Sequence, residues 1–203
     1  MKEIYIFGKG GHAKVVIDII EKLEGHIVKG ILDRDSSEGE SFLGYPVYSE
    51  SAFDKLDIKN AVVGIGSGKI RKGIMENRKD LTFCSLIHPA AQIGRDVVIE
   101  DGVVVMAGAV VNPCSVLKKG CLVNTSASID HDCFIGEYSS ISPGATLGGA
   151  VKIGQLASVG IGSSVIQLIE VGDEAVVGAG SVVLKNIPDK VKAFGVPCKI
   201  VEG

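Results

Sequence analysis

No run of eighteen apolar residues occurs in the 203-residue chain, so no transmembrane helix is expected. The apolar stretch nearest the N-terminus, residues 4–7, stops at Gly8, too short for the hydrophobic region of a signal peptide. There is no block of basic residues and the formal net charge is −3. Nucleic acid is therefore not expected as the main partner, because phosphate binding needs a basic face. None of the five cysteines forms a CxxC pair, which removes the usual zinc-ribbon pattern, and a reducing, cytoplasmic setting is the natural one. No Pro/Gly/Ser linker divides the chain; His88-Pro89 is the only punctuation between its two halves.

What is abundant is periodic. Stepping six residues at a time from Ile87 to Val183 gives seventeen positions, all Ile, Leu or Val. Neither the 3.6-residue period of a helix nor the two-residue period of a strand produces this. A sustained six-residue period is the mark of a parallel β-helix. If each aliphatic position is i, position i−2 is mostly small (Ala109, Ser115, Cys121, Ala127, Cys133, Ser139). Alternation along a strand points both inward, and one large plus one small residue suits a narrow prism. Cys121 and Cys133 are thus expected as core residues. Glycines recur at i+1 (Gly94, Gly136, Gly148, Gly154), which places the corners at i+1 and i+2. Three hexads close one coil, so residues eighteen apart should stack roughly 4.8 Å apart, in about six coils.

Residues 1–86 read differently. Expected strands at residues 2–7, 27–32, 60–65 and 81–86 alternate with helices at 13–23, 51–55 and 66–77, with a loop through 44–47. That alternation implies a small parallel sheet with flanking helices. Gly8, Gly10 and Ala13 fit G-x-G-x-x-A at a strand-to-helix turn, where a diphosphate can approach the backbone at a helix N-terminus. Asp33 stands at the end of the second strand, the place of a ribose-binding acid. A tight turn without a ligand, NAD and a nucleotide or nucleotide-sugar all remain open on this pattern.

One histidine falls well inside the hexads, His131 at i+2, flanked by Asp130 and Asp132. A carboxylate neighbour favours and orients an imidazole base. Gly149 stands eighteen residues on, where a bare backbone N–H would meet a thioester carbonyl. His131 has no histidine partner at hexad or coil spacing, so no metal is expected. His88, before Pro89, reads as structural.

Gly8-Lys9-Gly10-Gly11-His12-Ala13-Lys14, Gly64-Ile65-Gly66, Lys69-Ile70-Arg71, Asn124-Thr125-Ser126, His131-Asp132-Cys133 and Gly195-Val196-Pro197 occur in that order. Together they resemble the PglD/NeuD-type sugar acetyltransferases across nearly the whole chain. The resemblance implies an α/β plus β-solenoid fold: a small Rossmann-like nucleotide-sugar-binding domain over residues 1–86, then a left-handed parallel β-helix over 87–203 with a short C-terminal tail. It implies a homotrimer, with acetyl-CoA lying between neighbouring β-helices and a nucleotide-linked amino sugar, of UDP type, held by the N-terminal domain. By motif, His131 is the general base and Asp132 its orienting acid, where the family has Glu. Gly10, Gly11, His12, Asp33, Arg34 and Gly66 match the nucleotide-sugar side; Ser140, Ile161 and Ala179 match the coenzyme side. The hexad register never slips, so no coil loop is available to hold the acceptor, and the N-terminal domain is left to do so. The expected activity is N-acetylation of a 4-amino sugar. Sugar O-acetylation and a non-catalytic trimeric scaffold that binds a nucleotide-sugar stand as alternatives.

Overall fold

The computed structural model describes residues 1–37 and 39–201. In the N-terminal part, strands β1 (Lys2–Phe7), β2 (His26–Leu32), β3 (Ser41–Phe42), β4 (Tyr45–Tyr48), β5 (Asn60–Val63) and β6 (Thr82–Phe83) form one sheet in the order β3-β4-β2-β1-β5-β6. All neighbours are parallel except the β3–β4 hairpin, which occupies the stretch read from sequence as a loop. Its strands are short and lie at the sheet's edge, so they carry little period-2 signal. Helix α1 (Gly11–Lys22) buries Ala13, Val16, Ile17, Ile19 and Ile20, the apolar stripe of an amphipathic helix. A short 3-10 helix (Glu50–Lys55) and helix α2 (Gly68–Asn77) complete this part. The chain leaves β1 toward β2 on one side and returns to β5 on the other, so the crevice above the strands' carboxyl ends lies between β1 and β5. Close helix–strand approach there needs small residues: a Cβ on Gly64 would lie 3.1 Å from the Cβ of Ala13.

Leu86, expected to end a fourth domain strand, instead joins Ile87 in pairing with Val104–Val105 and opens the β-helix. From there two-residue strands stack into three parallel sheets at a spacing of eighteen residues. The first face runs from Leu86–Ile87 to Val176–Val177, the second from Gln92–Ile93 to Val182–Val183, the third from Val98–Ile99 to Glu170–Val171. Every hexad aliphatic residue from Val105 to Val183 is buried. Each is worth roughly 1.5–3 kcal/mol of transfer free energy. The small residues at i−2 are buried with them, Cys121 and Cys133 among them. The inward serines are satisfied: Ser115 Oγ donates to the Asp130 carbonyl at 2.8 Å, Ser139 Oγ to Gly136 at 2.7 Å and Ser163 Oγ to Gly178 at 2.8 Å. Lys192–Phe194 extends the first face, and Lys199–Val201 folds back on it antiparallel.

The corner geometry corrects the sequence reading. The left-handed residue sits at i+3, in turn Asp96, Gly102, Gly108, Cys114, Gly120, Ser126, Asp132 and Tyr138, with φ between 56° and 68°. The i+1 glycines have ordinary φ and are required for another reason. A Cβ on Gly136 would lie 2.6 Å from the carbonyl carbon of Gly154, and one on Gly148 would lie 2.7 Å from the amide nitrogen of Gln167. Glycine at i+1 therefore lets one coil lie directly on the next.

The two parts share a packed interface along the first face. Val104, Met106 and Leu122 join the α1 core, and Tyr138 joins Met75 and Phe83 beneath α2.

Candidate active site

The histidine corner is built by the coil repeat. His131 and Asp132 are exposed on the edge between the second and third faces. Asp130 Oδ1 accepts from the His131 amide at 2.8 Å and from Asn112 Nδ2, one coil below, at 3.1 Å. The left-handed Asp132, φ 58°, brings its Oδ2 to 2.7 Å from His131 Nδ1. That bond raises the imidazole pKa above its ordinary 6.5, with the Asp130 charge adding to it. With the proton held on Nδ1 by Asp132, the Nε2 lone pair is left to accept another. Gly149 stacks on the ring: a Cβ there would lie 2.8 Å from both Cε1 and Nε2. Its carbonyl is spent on the Leu168 amide at 2.9 Å. Cys133 points inward, its Sγ 3.3 Å from the Gly148 carbonyl, and burial raises its pKa.

In the N-terminal part a half-open cavity of about 720 Å³ lies at the carboxyl ends of β1 and β2, against α2. Gly8, Asp33, Arg34, Asp35 and Ile65 line it, over a floor of Phe7, Leu32 and Phe53. Gly10, Gly11 and His12 continue the chain from Gly8, and Gly66 follows Ile65. Asp33 shapes the mouth: Oδ2 accepts from the Lys9 amide at 3.0 Å and Oδ1 from the Asp35 amide at 3.1 Å. The Lys9 ammonium is tied to Glu40 at 2.9 Å and to the Asp35 carbonyl, so it clamps the loop. Helix α1 opens at Gly10 without a side-chain cap and without an acid in its first turn, leaving its N-terminus suited to an anion. His12 is half-buried in the second position of α1, and its Nε2, itself shut off from solvent, has no hydrogen-bond partner. Burial, followed by the Arg71 charge, depresses its pKa to about 4.

Arg71, part of the Lys69-Ile70-Arg71 motif, is the bolt between the two parts. Its guanidinium is buried and donates to the carbonyls of Gly66 (2.6 Å), Gly120 (2.9 Å), Tyr138 (2.9 Å) and Ser139 (2.9 Å), and to Ser140 Oγ (3.1 Å). Burial lowers its pKa to about 10. Ser140, expected to face the coenzyme, is thus engaged at this junction on the first face. Among the described residues, no group of His, Cys, Asp and Glu could hold a metal ion, and no helix is long and apolar enough to cross a membrane.

The expected site residues fall into separate places within one chain. The cavity gathers Asp33 and Arg34, with the glycine loop beside it. His131, Asp132 and Gly149 lie on the edge opposite the first face, where the N-terminal part docks. Ile161 and Ala179 stack on a different edge, between the first and second faces, both exposed.

A β-helix of hexapeptide repeats that carries a carboxylate-flanked histidine on its edge and a Rossmann-like domain on its side has the build of an acyltransferase. Residues 3–77 match the family described as the PglD N-terminal domain. The chain is 35% identical to PerB of Caulobacter crescentus, solved in complex with CoA and GDP-perosamine, with a TM-score of 0.93 over 100% of this chain and 98% of that one. It is 36% identical to the acetyltransferase domain of PglB from Neisseria gonorrhoeae FA1090, solved with acetyl coenzyme A, with a TM-score of 0.91 over 98% and 99% of the two chains. The UDP-N-acetylbacillosamine N-acetyltransferase of Bacillus subtilis (strain 168) is 36% identical over 115 residues, 53% of this chain. The chain spans about half the length of that curated relative (52%). The chain belongs to the PglD-like family of sugar acetyltransferases.

Proposed function

We propose that the chain transfers the acetyl group of acetyl-CoA to the amino group of a nucleotide-linked amino sugar, at a site completed by a neighbouring chain of a trimer. The observation that carries this is the His131–Asp132 pair, set against the bare backbone of Gly149 on a prism edge, in a molecule whose other part offers a nucleotide-sized cavity. Relatives solved or named with a GDP-linked and a UDP-linked sugar support a nucleoside diphosphate sugar as acceptor. The 4-amino sugar is the form carried over from the family resemblance.

The chemistry follows from the corner. The sugar amine attacks the thioester carbon, and its proton passes to His131 Nε2, while Asp132 stabilises the imidazolium. The Gly149 N–H, on a backbone bare of side chains, donates to the developing oxyanion; the Gly148 N–H is held by the Val165 carbonyl at 2.9 Å. When the C–S bond breaks, the imidazolium returns the proton to the CoA sulfur. No acyl-enzyme is needed, since Cys133 faces the core.

The separation of the site residues supports the trimer. A coenzyme that touches both the His131 edge and the Ile161–Ala179 edge must lie between two chains. Closed cyclic symmetry would bring those edges together three times over.

The test is an acceptor screen. The protein is incubated with acetyl-CoA and either UDP- or GDP-linked 4-amino-4,6-dideoxy sugars, and released CoA thiol is measured. Acceptor-dependent thiol release is expected with one nucleotide series. Release no faster than in the absence of acceptor, across both series, would sink the proposal.

A further inference from the structure

We propose that Gly73 is a specificity-determining residue: by lacking a side chain it leaves the surface of α2 bare, so that the base of the nucleoside diphosphate lies directly against the helix. This rests on the reading of the cavity as the nucleotide-sugar site and adds to it where the base is placed and what sets its fit.

The argument starts from why a glycine is kept. It is required where φ is positive, or where a Cβ would strike a neighbour. Among the described residues, only four glycines meet neither condition: Gly10, Gly11, Gly66 and Gly73. The first three stand in or beside the strand-to-helix turns at the cavity, and the family resemblance matches them to the nucleotide-sugar side. The fourth lies mid-helix, where glycine is poorer than alanine by roughly 0.8–1.0 kcal/mol, and nothing in the chain comes within 4 Å of its missing Cβ. A helix that accepts that penalty with no internal reason has an external one.

The second observation is the pattern of α2. Arg71 and Met75 form its buried side. Ile70, Gly73, Ile74, Asn77 and the following Arg78 line the cavity at spacings of three and four, which is one helix face. Ile70 is 50% exposed although apolar. Across the cavity stand Asp33, Arg34 and Asp35, at the end of β2. A flat group that is apolar on its faces and polar at its rim fits this slot, and the nucleobase is the part of the acceptor with that chemistry.

Three variants test it: Gly73→Ala, Gly73→Leu and, as a control for the loop, Gly10→Val. Calorimetry gives the Kd of each for UDP, GDP and acetyl-CoA, and a thermal scan gives Tm. Gly73→Ala is expected to raise Tm by about 2 °C, since alanine is the better helix former. It is also expected to weaken the preferred nucleotide roughly tenfold and to change the UDP-to-GDP affinity ratio, with acetyl-CoA unaffected. Gly73→Leu is expected to abolish nucleotide binding. Because Tm rises, the loss cannot come from misfolding. If Gly73→Ala binds both nucleotides as the parent does, or loses both equally with an unchanged ratio, while Gly10→Val is impaired, the role of Gly73 is overturned and the cavity reading stands. If the parent binds neither UDP nor GDP, the cavity reading falls, and the role of Gly73 with it.

Discussion

At the scale of single residues, two histidines carry opposite shifts, and each yields a test. His131 is exposed and hydrogen-bonded to Asp132, so its pKa is raised. Only the neutral ring accepts a proton, so turnover is expected to rise with pH through a midpoint above the ordinary 6.5 of histidine. His131→Ala is expected to lower kcat by roughly 10²–10⁴ and to erase that limb. The fold should be left intact, because the side chain projects from a corner. Asp132→Asn is expected to cost less and to move the midpoint down toward the unperturbed value. An Ala variant of near-parent rate with the parent pH profile would show that His131 is only a corner residue. His12 is the reverse case. Its pKa falls from 6.5 to about 4 on folding, by burial and then by Arg71. Well above pH 6.5 the ring is neutral in both states and stability is unaffected; between about 4 and 6.5 the unfolded chain binds more protons, so stability drops as the pH is lowered. At pH 5 the loss is about 2 kcal/mol. Urea unfolding at pH 7 and pH 5 measures it, and His12→Gln is expected to flatten the difference. A parent whose stability is the same at both pH values would contradict the buried, neutral ring.

At the scale of elements, α2 is the hinge of the design, with one face in the cavity and the other bolted to the β-helix through Arg71. Arg71→Leu would take the guanidinium's donors from the carbonyls of Gly66, Gly120 and Tyr138, while the Ser139 carbonyl would keep the Leu122 amide at 3.0 Å. The expected cost is about 3–5 kcal/mol, read as a lower Tm or as separate melting of the two parts. A Tm within a degree of the parent would show that the bolt is dispensable. This junction was not legible in the sequence. An arginine on a short helix is usually solvated, and its acceptors across the junction are mostly main-chain carbonyls about 50 to 70 residues away, which leave no pattern. Tyr138 is a usable sign: a large aromatic residue at i+3, where the two coils below carry Gly102 and Gly120, marks the corner that enters the other part's core. The hexads were legible because the core demands an aliphatic residue every sixth position. The glycines at i+1 were visible too, but their cause was misread, because close stacking and left-handed φ both select glycine. The hairpin β3–β4 leaves little pattern because β3 is a two-residue edge strand and β4, with Pro46 in it, buries only Val47. At the candidate site, the coil spacing makes the stacking of Gly149 on His131 readable. The engagement of Ser140 by Arg71 was not, since it depends on how the two parts dock.

At the scale of the whole molecule, the proposed site needs both separated edges, so the proposal ties activity to assembly. Light scattering is expected to return about 63 kDa, three chains of 21.1 kDa, and an active monomer of 21.1 kDa would undo the shared-site proposal. The regular register has a further consequence. Each residue stacks on the one eighteen positions away, as Val104 does on Leu122 and Ser140 on Ser158. Length in this half of the chain is therefore quantised. One residue gained or lost within a coil would rotate everything after it onto the wrong face, whereas a whole coil of eighteen would leave every face in place and move the upper contacts by a single 4.8 Å step, roughly. The β-helix thus works as a ruler with one kind of graduation. His131, Gly149 and the pair Ile161–Ala179 are marks on it, and the reach between them can be lengthened or shortened only by whole divisions.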